Sequence, residues 1–496
     1  MATSTRSNAT IDPILAPAQM TGIKTSLSVL PSIGSDHFPI IWIPDIKLRR
    51  LLDNITFRQR SFHRSNYAIY IIIIVVVFLT LVGQPKFIFQ SHLHIPWLTD
   101  VKHVQPLHCI SDTNQPGWPR AMESSEKSLL DSHLTLIIVS AKSDFKRLPL
   151  TLASLVCHLD YRQLSKVILL VPRQHATLLE PFLVGEASGH WPWPISIMPD
   201  DNILQHTHTH SYRLQMMFKL VIAQVIKTEY YMILDSDCIA LSPIHVTQLL
   251  WQQNMSSSKT SHSIPSHQAL YQLEERSDHA EWWPESEQLL QIEPNTCVTN
   301  NPSTKSIGVT PAILSKSIAL MTLCRLQKLY GDRSFLNILA NWALWRTPFG
   351  RMWTEYTLYY LTARCTGTFN SYHFHRANTS SVPPINLYGP SVWWATDWTS
   401  FLRYQLLDSA KTGLQWRQKE IDNGDGAAII DSSVKAINLF TVLQSRASVN
   451  QALFHTLLYP LFIDHLAHRK NSQKLLEILN RMTVQFTGNH NTNEIH

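Results

Sequence analysis

Two aspartates separated by one residue, Asp235 and Asp237, are the side chains of this sequence best suited to metal chemistry. They follow an apolar run, 230–234, and precede a second apolar step, 238–243, that ends in proline. Side chains alternate along a strand, so we expect both carboxylates on one side where the strand leaves the core. Carboxylate oxygens are hard ligands that suit Mn²⁺ or Mg²⁺, which share their coordination with phosphate oxygens. The pattern therefore predicts a site for a divalent metal and a diphosphate.

The segments before the acid pair alternate between strand and helix patterns. Near-continuous apolar runs predict strands at 134–140, 167–171 and 195–198, and apolar spacing predicts helices at 144–159, 175–184 and 212–227. Such alternation indicates a parallel sheet with right-handed crossovers. Ligands bind these sheets at the carboxyl ends of the strands, where the acid pair lies. A further strand and helix are predicted within 307–315, and helices within 313–364 and 450–482.

Four further segments carry a resemblance to known proteins. They are a helix at 211–220, a strand-turn-helix pattern at 308–315, the aromatic and acidic stretch 353–359, and Leu443-Gln444-Ser445. With the acid strand, they make residues 132–446 similar to a poorly characterised family placed among the nucleotide-sugar glycosyltransferases of the GT-A type. That family usually has Ser where this chain has Thr354, and Glu where it has Thr357. Any role of that glutamate is therefore absent here. The resemblance implies a GT-A-like, Rossmann-like α/β fold and glycosyl transfer, without specifying a sugar.

Glycosyl transfer gives these residues expected roles. Asp237 would bind the metal directly, and Asp235 would bind the metal or the nucleotide ribose. Gln215 and Lys219 lie four residues apart, on one face of a helix, and we expect them to bind the donor together with Arg213. Lys219 or Arg213 would neutralise the departing diphosphate. The alternative for each cation is a solvated charge on a helix.

Glu355 is the candidate catalytic base. An inverting transferase needs a carboxylate that deprotonates the acceptor hydroxyl, and the neighbouring Trp353 and Tyr356 would raise the pKa of Glu355 by partial desolvation. The alternative is a buried glutamate with a structural role.

Two other pairs of residues enter the candidate site. Asp200 and Asp201 end the third predicted strand on the same rim, where they would contact the nucleotide base or form a solvated turn. In related folds a later histidine completes the metal shell, and His373 or His375 would serve here.

A separate feature is an uncharged apolar segment from Tyr67 to Val82. As a helix it would span about 24 Å, which suits a membrane thinner than the usual hydrocarbon core of about 30 Å. Six Lys or Arg residues precede it between positions 47 and 64, whereas only Lys86 and Lys102 follow closely. The positive-inside rule predicts a single-pass type II protein of the Golgi or endoplasmic reticulum membrane, with its large domain in the lumen. A buried, β-rich core segment is the alternative.

Charge and cysteine content agree with that topology. The chain has a formal net charge of +6, of which +4 falls in residues 1–65. The rest is nearly neutral, which argues against a nucleic-acid partner. All six cysteines follow the predicted anchor and permit up to three disulfides in an oxidising lumen, although Cys157 and Cys238 lie in apolar segments typical of buried thiols. Glycosylation sequons occur at 254–256 and 378–380.

The expected organisation has six parts. They are a flexible cytosolic tail at 1–66, a transmembrane anchor at 67–83, a lumenal stem at 84–131, a GT-A-like domain at 132–446, helices at 447–487 and a polar tail at 488–496. The expected function is metal-dependent transfer of a sugar from a nucleotide sugar to a glycan, protein or lipid acceptor, with Mn²⁺ or Mg²⁺. A catalytically inactive, membrane-tethered carbohydrate-binding protein on the same fold is the main alternative. A metal-dependent phosphoesterase would need a denser cluster of Asp and His.

Overall fold

The computed structural model describes residues 28–29, 41–42, 101–103, 107–110, 118, 120–121 and 132–488, with gaps at 207–210, 253–265, 299–300, 302, 333, 347–352, 376–383, 390, 392–399, 424–435, 445–455 and 470. The chain divides into two units, 1–94 and 95–496. In the first, β1 (Ser28–Val29) and β2 (Ile41–Trp42) form an antiparallel pair. The predicted anchor and both sequons lie outside the described residues. Within the described residues, no helix has the length and apolar character needed to cross a membrane.

The second unit is built around a five-stranded sheet. Its strands lie in the order β16 (Ala312–Ser315), β10 (Tyr230–Asp235), β6 (Leu134–Val139), β7 (Leu164–Val171) and β8 (Ile195–Pro199). Strands β10, β6, β7 and β8 are parallel, and β16 is antiparallel to β10. The prediction of an α/β fold with a mostly parallel sheet flanked by helices is confirmed.

Smaller strand pairs surround this sheet. They are β3 (Val101–His103) with β9 (Leu204–His206), β4 (Cys109–Ile110) with β5 (Arg120–Ala121), β12 (Leu250–Gln252) with β13 (His267–Leu270) and β17 (His373–Phe374), and β14 (Leu273–Glu275) with β15 (Lys305–Ile307). A three-stranded sheet has the order β11 (Cys238–Ala240), β19 (Ile437–Val442) and β18 (Ile385–Tyr388).

The described helices are α1 (Leu148–His158), α2 (Arg173–Ala176), α3 (Glu180–Leu183), α4 (Ser211–Val221), α5 (Val246–Leu249), α6 (Trp282–Leu289), α7 (Lys316–Tyr330), α8 (Phe335–Arg346), α9 (Glu355–Cys365), α10 (Phe369–Tyr372), α11 (Ser400–Asn423), α12 (Tyr459–Ala467) and α13 (Gln473–Thr487).

Apolar side chains of the central strand β6 alternate between the two faces of the main sheet. Leu136 and Ile138 belong to a core that includes α1, α12 and α13, whereas Ile137 and Val139 belong to a core that includes α4, α7 and α9. Burial on both faces explains why this strand is a continuous apolar run rather than an alternating one.

Three of the predicted helices differ from the structure. The helix expected at the end of the segment 307–315 is the strand β16, and α7 begins only at Lys316. The segment 175–184 contains two one-turn helices, α2 and α3, because Pro181 near the start of α3 cannot donate a backbone hydrogen bond. The helix predicted at 212–227 ends at Val221 and continues as a 3₁₀ turn, Ile222–Gln224, in a stretch of β-branched residues with low helix propensity.

Part of the predicted stem is joined to the large unit. Strand β3 pairs with β9, and Cys109 forms a disulfide with Cys324 of α7. A second disulfide links Cys297 to Cys365. Cys157 and Cys238 are buried free thiols, as predicted.

Candidate active site

The acid pair lies beside the point where the strand order reverses. From β6 the chain proceeds outward through β7 and β8, and then returns to place β10 on the other side of β6. Asp235, the last residue of β10, is paired with Val139, the last residue of β6. Adjacent parallel strands whose crossovers diverge leave a crevice at their carboxyl ends, which is where ligands bind in open α/β sheets. The predicted position of the acid pair at a carboxyl edge is therefore confirmed.

The two aspartates belong to a turn that connects two sheets. Ser236 and Asp237 form this turn, and Cys238 begins β11 of the smaller sheet. On one side, the Thr151 hydroxyl of α1 donates to the Ser236 carbonyl at 2.7 Å. On the other, the backbone N–H of Leu443 donates to the Asp237 carbonyl at 2.9 Å. The backbone of the acid turn is thus held from both sides.

The strand end is also fixed by Thr310, which lies in the segment 308–315 that carries part of the family resemblance. The Thr310 hydroxyl accepts a hydrogen bond from the backbone N–H of Asp235 at 3.2 Å. It also lies 3.4 Å from the carbonyl oxygen of Ile233, to which it donates. Pairing of β10 with β16 begins at Ala312, so the Thr310 side chain makes the hydrogen bonds to β10 that a strand backbone would make at this point. These bonds orient the backbone that carries Asp235.

Asp235 belongs to a buried ionic cluster with Lys219 and Glu355. The Lys219 ammonium lies 3.0 Å from Asp235 Oδ1 and 3.2 Å from Glu355 Oε1. The side chains of Lys219 and Glu355 are only 7% and 3% exposed, whereas that of Asp235 is 29% exposed. Asp235 is therefore the most solvent-accessible member of the cluster. Lys219 and Glu355 lie behind it.

Each buried member of this cluster depends on the others electrostatically. Burial lowers the pKa of Lys219, but the charge of Asp235, the Tyr356 hydroxyl and Glu355 outweigh it, so the pKa is raised well above the usual value. Burial raises the pKa of Glu355, and Lys219 only partly opposes this effect. The Lys219 ammonium also lies 5.4 Å from the centre of the Tyr356 ring. The cluster therefore favours the charged form of Lys219, whereas the pKa of Glu355 stays above its ordinary value.

Local sequence features place both buried residues. Lys219 is in the last turn of α4, and the Tyr231 hydroxyl of β10 donates to its carbonyl oxygen at 2.9 Å. Glu355 is the first residue of α9, after the N-cap Thr354, whose hydroxyl accepts from the backbone N–H of Thr357 at 3.1 Å. The positive end of the helix dipole favours a carboxylate at this position. Thr354 supplies the same capping chemistry as the serine usual in the resembling family.

The other two predicted donor-binding residues stand apart from this cluster. Arg213 donates to the carbonyl oxygen of Ala340 in α8 at 3.0 Å, and burial lowers its pKa. Gln215 is half-buried on α4. The structure thus brings Lys219, Asp235 and Glu355 together and directs the Arg213 guanidinium toward another helix.

Asp200 and Asp201 have partners at the end of β8. Asp200 is buried and lies 3.0 Å from the His206 ring, and Asp201 pairs with Arg173. Asp200 is therefore not a solvated acid, whereas the side chain of Asp201 is 36% exposed in the short 3₁₀ helix Asp200–Asn202. No described contact joins either of them to Asp235 or Asp237.

The histidines suggested as metal ligands lie at the opposite end of the sheet. The Tyr359 hydroxyl bonds both His373 Nε2, at 2.6 Å, and the backbone N–H of Ser315, at 2.8 Å. Ser315 pairs with Tyr230, five residues before Asp235, so roughly 16 Å of strand separates the two ends. Burial lowers the pKa of His373 to about 3. His375 lies 5.7 Å from Tyr271, which also contacts His373. The suggestion is therefore wrong for His373, and no described contact brings His375 to Asp235 or Asp237.

Sequence reasoning did not identify the loop that follows β6. It carries Ser140, whose hydroxyl is buried without a hydrogen-bond partner among the described residues, and then Asp144 and Arg147. Arg147 lies 3.3 Å from Asp144. Burial raises the pKa of Asp144, and the nearby charge of Asp235 adds to this effect. The available signal was topological, because the loop after the first strand must border the crevice once β10 lies beside β6.

The donor set fits a divalent cation only together with a ligand. No three His, Cys, Asp or Glu side chains group around a potential metal position in the described part of the chain. Asp237 is 6% exposed and Asp235 already pairs with Lys219. Mg²⁺ and similar ions are commonly held by one or two carboxylates with substrate phosphates and water. Asp235 and Asp237 supply the two carboxylates that such a site needs. They are too few to hold the ion without phosphate and water ligands.

Comparisons with solved structures find glycosyltransferases at low similarity. The apo form of glycosyltransferase GlyE from Streptococcus pneumoniae TIGR4 is 10% identical, with a TM-score of 0.29, over 71% of this chain and 64% of that one. The apo structure of the bifunctional glycosyltransferase WbbM is 11% identical, with a TM-score of 0.33, over 71% of this chain and 52% of that one. The chain thus covers less than two thirds of either structure, and no functional argument rests on a likeness of this degree.

Comparisons at the sequence level give a family. No curated protein matches the chain. A family profile matches residues 133–414, which include α1, the acid turn, Lys219 and Glu355. The chain belongs to a family of unknown function, DUF6492.

Proposed function

We propose that this protein is a glycosyltransferase with a GT-A-like fold that moves a sugar from a nucleotide diphosphate to an acceptor hydroxyl. In this reaction the bond from the anomeric carbon to the phosphate oxygen breaks, and a bond to the acceptor oxygen forms. The acceptor proton passes to a base. The observation that carries the proposal is the acid turn at the crevice between β6 and β10, backed by the buried pair of Lys219 and Glu355.

Asp235 and Asp237 would hold Mn²⁺ or Mg²⁺ in the proposed site. The bound cation would offset the negative charge that develops on the departing diphosphate. The aspartates provide hard oxygen ligands. The backbone that carries them is fixed because the Thr151 hydroxyl donates to the Ser236 carbonyl and the Thr310 hydroxyl accepts from the Asp235 N–H.

Lys219 would act through Asp235. Its ammonium is buried and faces two carboxylates, so in this conformation it sets the orientation and the charge of Asp235 instead of reaching a diphosphate. Glu355 would in turn position Lys219. The base role of Glu355 stays a prediction, and it requires an opening of the crevice that exposes this carboxylate. Direct donor contacts by Arg213 and Gln215 also stay predictions.

The proposal is tested by presenting a panel of nucleotide sugars with Mn²⁺ to the full-length protein and to Asp237→Asn. Asp408→Asn is the matched control, because Asp408 is an exposed aspartate of α11. We expect metal-dependent stabilisation or hydrolysis of at least one nucleotide sugar by the wild-type protein and the control, and its loss in Asp237→Asn. An equal response of the two variants would refute the proposed site.

A second candidate is a carbohydrate-binding protein without catalysis. The observation in its favour is that Asp235 is already neutralised by Lys219, which weakens its attraction for a cation. Glycan binding that is unchanged by chelation of divalent metals, with no turnover of any nucleotide sugar, would favour this candidate.

We also propose that the protein is a type II membrane protein of the Golgi or endoplasmic reticulum, anchored by the apolar segment at 67–83. The disulfides Cys109–Cys324 and Cys297–Cys365 support exposure of the large unit to an oxidising lumen. Protease added outside sealed vesicles should leave this unit intact. Its digestion without detergent would contradict the topology.

A further inference from the structure

A second cavity lies far from the acid turn, at the other end of α1. Thr151, near the start of α1, bonds the acid turn, whereas Val156 and Leu159, at its end, line the cavity. At a rise of 1.5 Å per residue, about 12 Å of helix separates Thr151 from Leu159. The cavity is therefore independent of the proposed active site.

The charged residues of this cavity are all basic. Eleven residues line it, and they include Arg417, Arg469 and His190 but no Asp or Glu. The two guanidinium groups are close enough to affect each other: burial lowers the pKa of Arg469, and the charge of Arg417 lowers it further. Two cations that share one cavity repel each other unless an anion lies between them.

The surrounding carboxylates are already engaged by other groups. Arg417 lies 2.8 Å from Glu420, but Glu420 is shared with His245 at 3.0 Å. His245 also pairs with Asp160, which bonds Arg162. Burial lowers the pKa of His245, but its bonds to Glu420 and Asp160 outweigh that effect and raise it. Glu420 is thus shared between Arg417 and His245, and no carboxylate of the described residues pairs with Arg469.

Arg469 has a structural role that uses only part of its guanidinium. It donates to the carbonyl oxygens of Val156 and Cys157, at 3.1 and 2.8 Å, and so caps the C-terminal end of α1. The Nε atoms of both Arg469 and Arg417 are buried, and neither has a hydrogen-bond acceptor among the described residues. Helix capping leaves these two donors unexplained.

A helix N-terminus opens onto the same cavity. Ser472, the N-cap residue of the fifteen-residue helix α13, lines the cavity and makes no side-chain capping bond. The first backbone N–H groups of a helix and its positive dipole end favour a phosphate. Leu466 and Leu475 form an apolar part of the wall.

We propose that this cavity binds the phosphoryl group of a phosphate monoester. The guanidinium groups of Arg417 and Arg469 would contact phosphate oxygens, and the first turn of α13 would bind the remaining oxygen. A dianionic phosphoryl group would offset the repulsion between the two guanidinium groups. The leucines would contact the carbon skeleton of the ligand.

Calorimetric titration of the full-length protein with inorganic phosphate tests this proposal. Ionic strength is held constant with chloride, and a chelator removes divalent metals so that the acid turn cannot contribute. The variants are Arg417→Gln and Ser472→Asp, with Arg403→Gln as the control because Arg403 is an exposed arginine on the same helix, α11. Aspartate is a good N-cap residue, so Ser472→Asp keeps α13 capped while placing a negative charge in the cavity.

We expect saturable binding by the wild-type protein and Arg403→Gln, and affinity reduced about tenfold or more in the other two variants. Absence of saturable phosphate binding by the wild-type protein, or equal affinity of all four proteins, would overturn the proposal. If Arg417→Gln fails to fold, Ser472→Asp alone decides. Competition by glycerol 3-phosphate would indicate a soluble ligand, whereas selective binding to phosphatidylcholine vesicles that contain phosphatidic acid would indicate a lipid headgroup.

Discussion

Replacement of Lys219 by methionine should destabilise the protein severely. Methionine has similar length and no charge, so the change leaves the Glu355 carboxylate buried without its cation, 3.2 Å away in the native protein. Breaking a buried ion pair from one side costs about 3–5 kcal/mol of unfolding free energy. Glu355→Gln should cost about 1–3 kcal/mol, because Lys219 keeps Asp235 at 3.0 Å. The double variant should cost less than the sum of the two single changes, because it removes both buried charges.

Urea unfolding of the full-length protein, followed by tryptophan fluorescence, measures these differences. Lys227→Met is the matched control, since Lys227 is exposed shortly after α4, and its effect should stay within about 0.5 kcal/mol. Burial raises the pKa of Glu355, so the loss in Lys219→Met should shrink as falling pH protonates this carboxyl group. If Lys219→Met is as stable as Lys227→Met, the buried cluster does not contribute as we infer.

Three further changes test other parts of the structure. Gly413→Ala should lower the unfolding temperature by several degrees, because a methyl group at this position of α11 would overlap the backbone carbonyl of Leu241; unchanged melting would contradict that packing. Burial raises the pKa of Glu274 from 4.5 to about 7, so the native state holds an extra proton between these values and its stability should fall by about 3 kcal/mol as pH rises through them. Glu274→Gln should remove this pH dependence, as measured by urea unfolding at a series of pH values. Thr151→Val removes the 2.7 Å hydrogen bond to the Ser236 carbonyl. We expect nucleotide-sugar turnover to fall about tenfold or more, because the acid turn is misplaced. Unchanged turnover would show that this bond does not position the acid turn.

The strands of the main sheet were predictable because their signal is local. Residues 134–139 and 230–235 are continuous apolar runs, and such runs mark strands that are buried on both faces. The antiparallel strand β16 lies where the turn and helix of a strand-turn-helix pattern were predicted, and the long helix α11 was not identified. Their packing partners lie far away in the chain, so the local pattern contains little of the information that decides them.

The site was predictable only in part, for the same reason. The position of Asp235 at a strand end follows from the apolar run before it. The contact between Lys219 and Glu355 depends on how α4 and α9 pack on one face of the sheet. The contribution of the loop with Ser140 and Asp144 depends on β10 lying beside β6.

The sequence by itself determined a mostly parallel α/β sheet and an acid turn at the carboxyl end of a strand, because backbone periodicity and hydrophobic patterning are properties of neighbouring residues. Tertiary structure alone decided that Lys219 is buried between two carboxylates, that His373 lies at the far end of the sheet, and that arginines from α11 and the segment after α12 line one cavity. These outcomes depend on desolvation and on distances between elements remote in the chain, and neither is encoded in residue spacing.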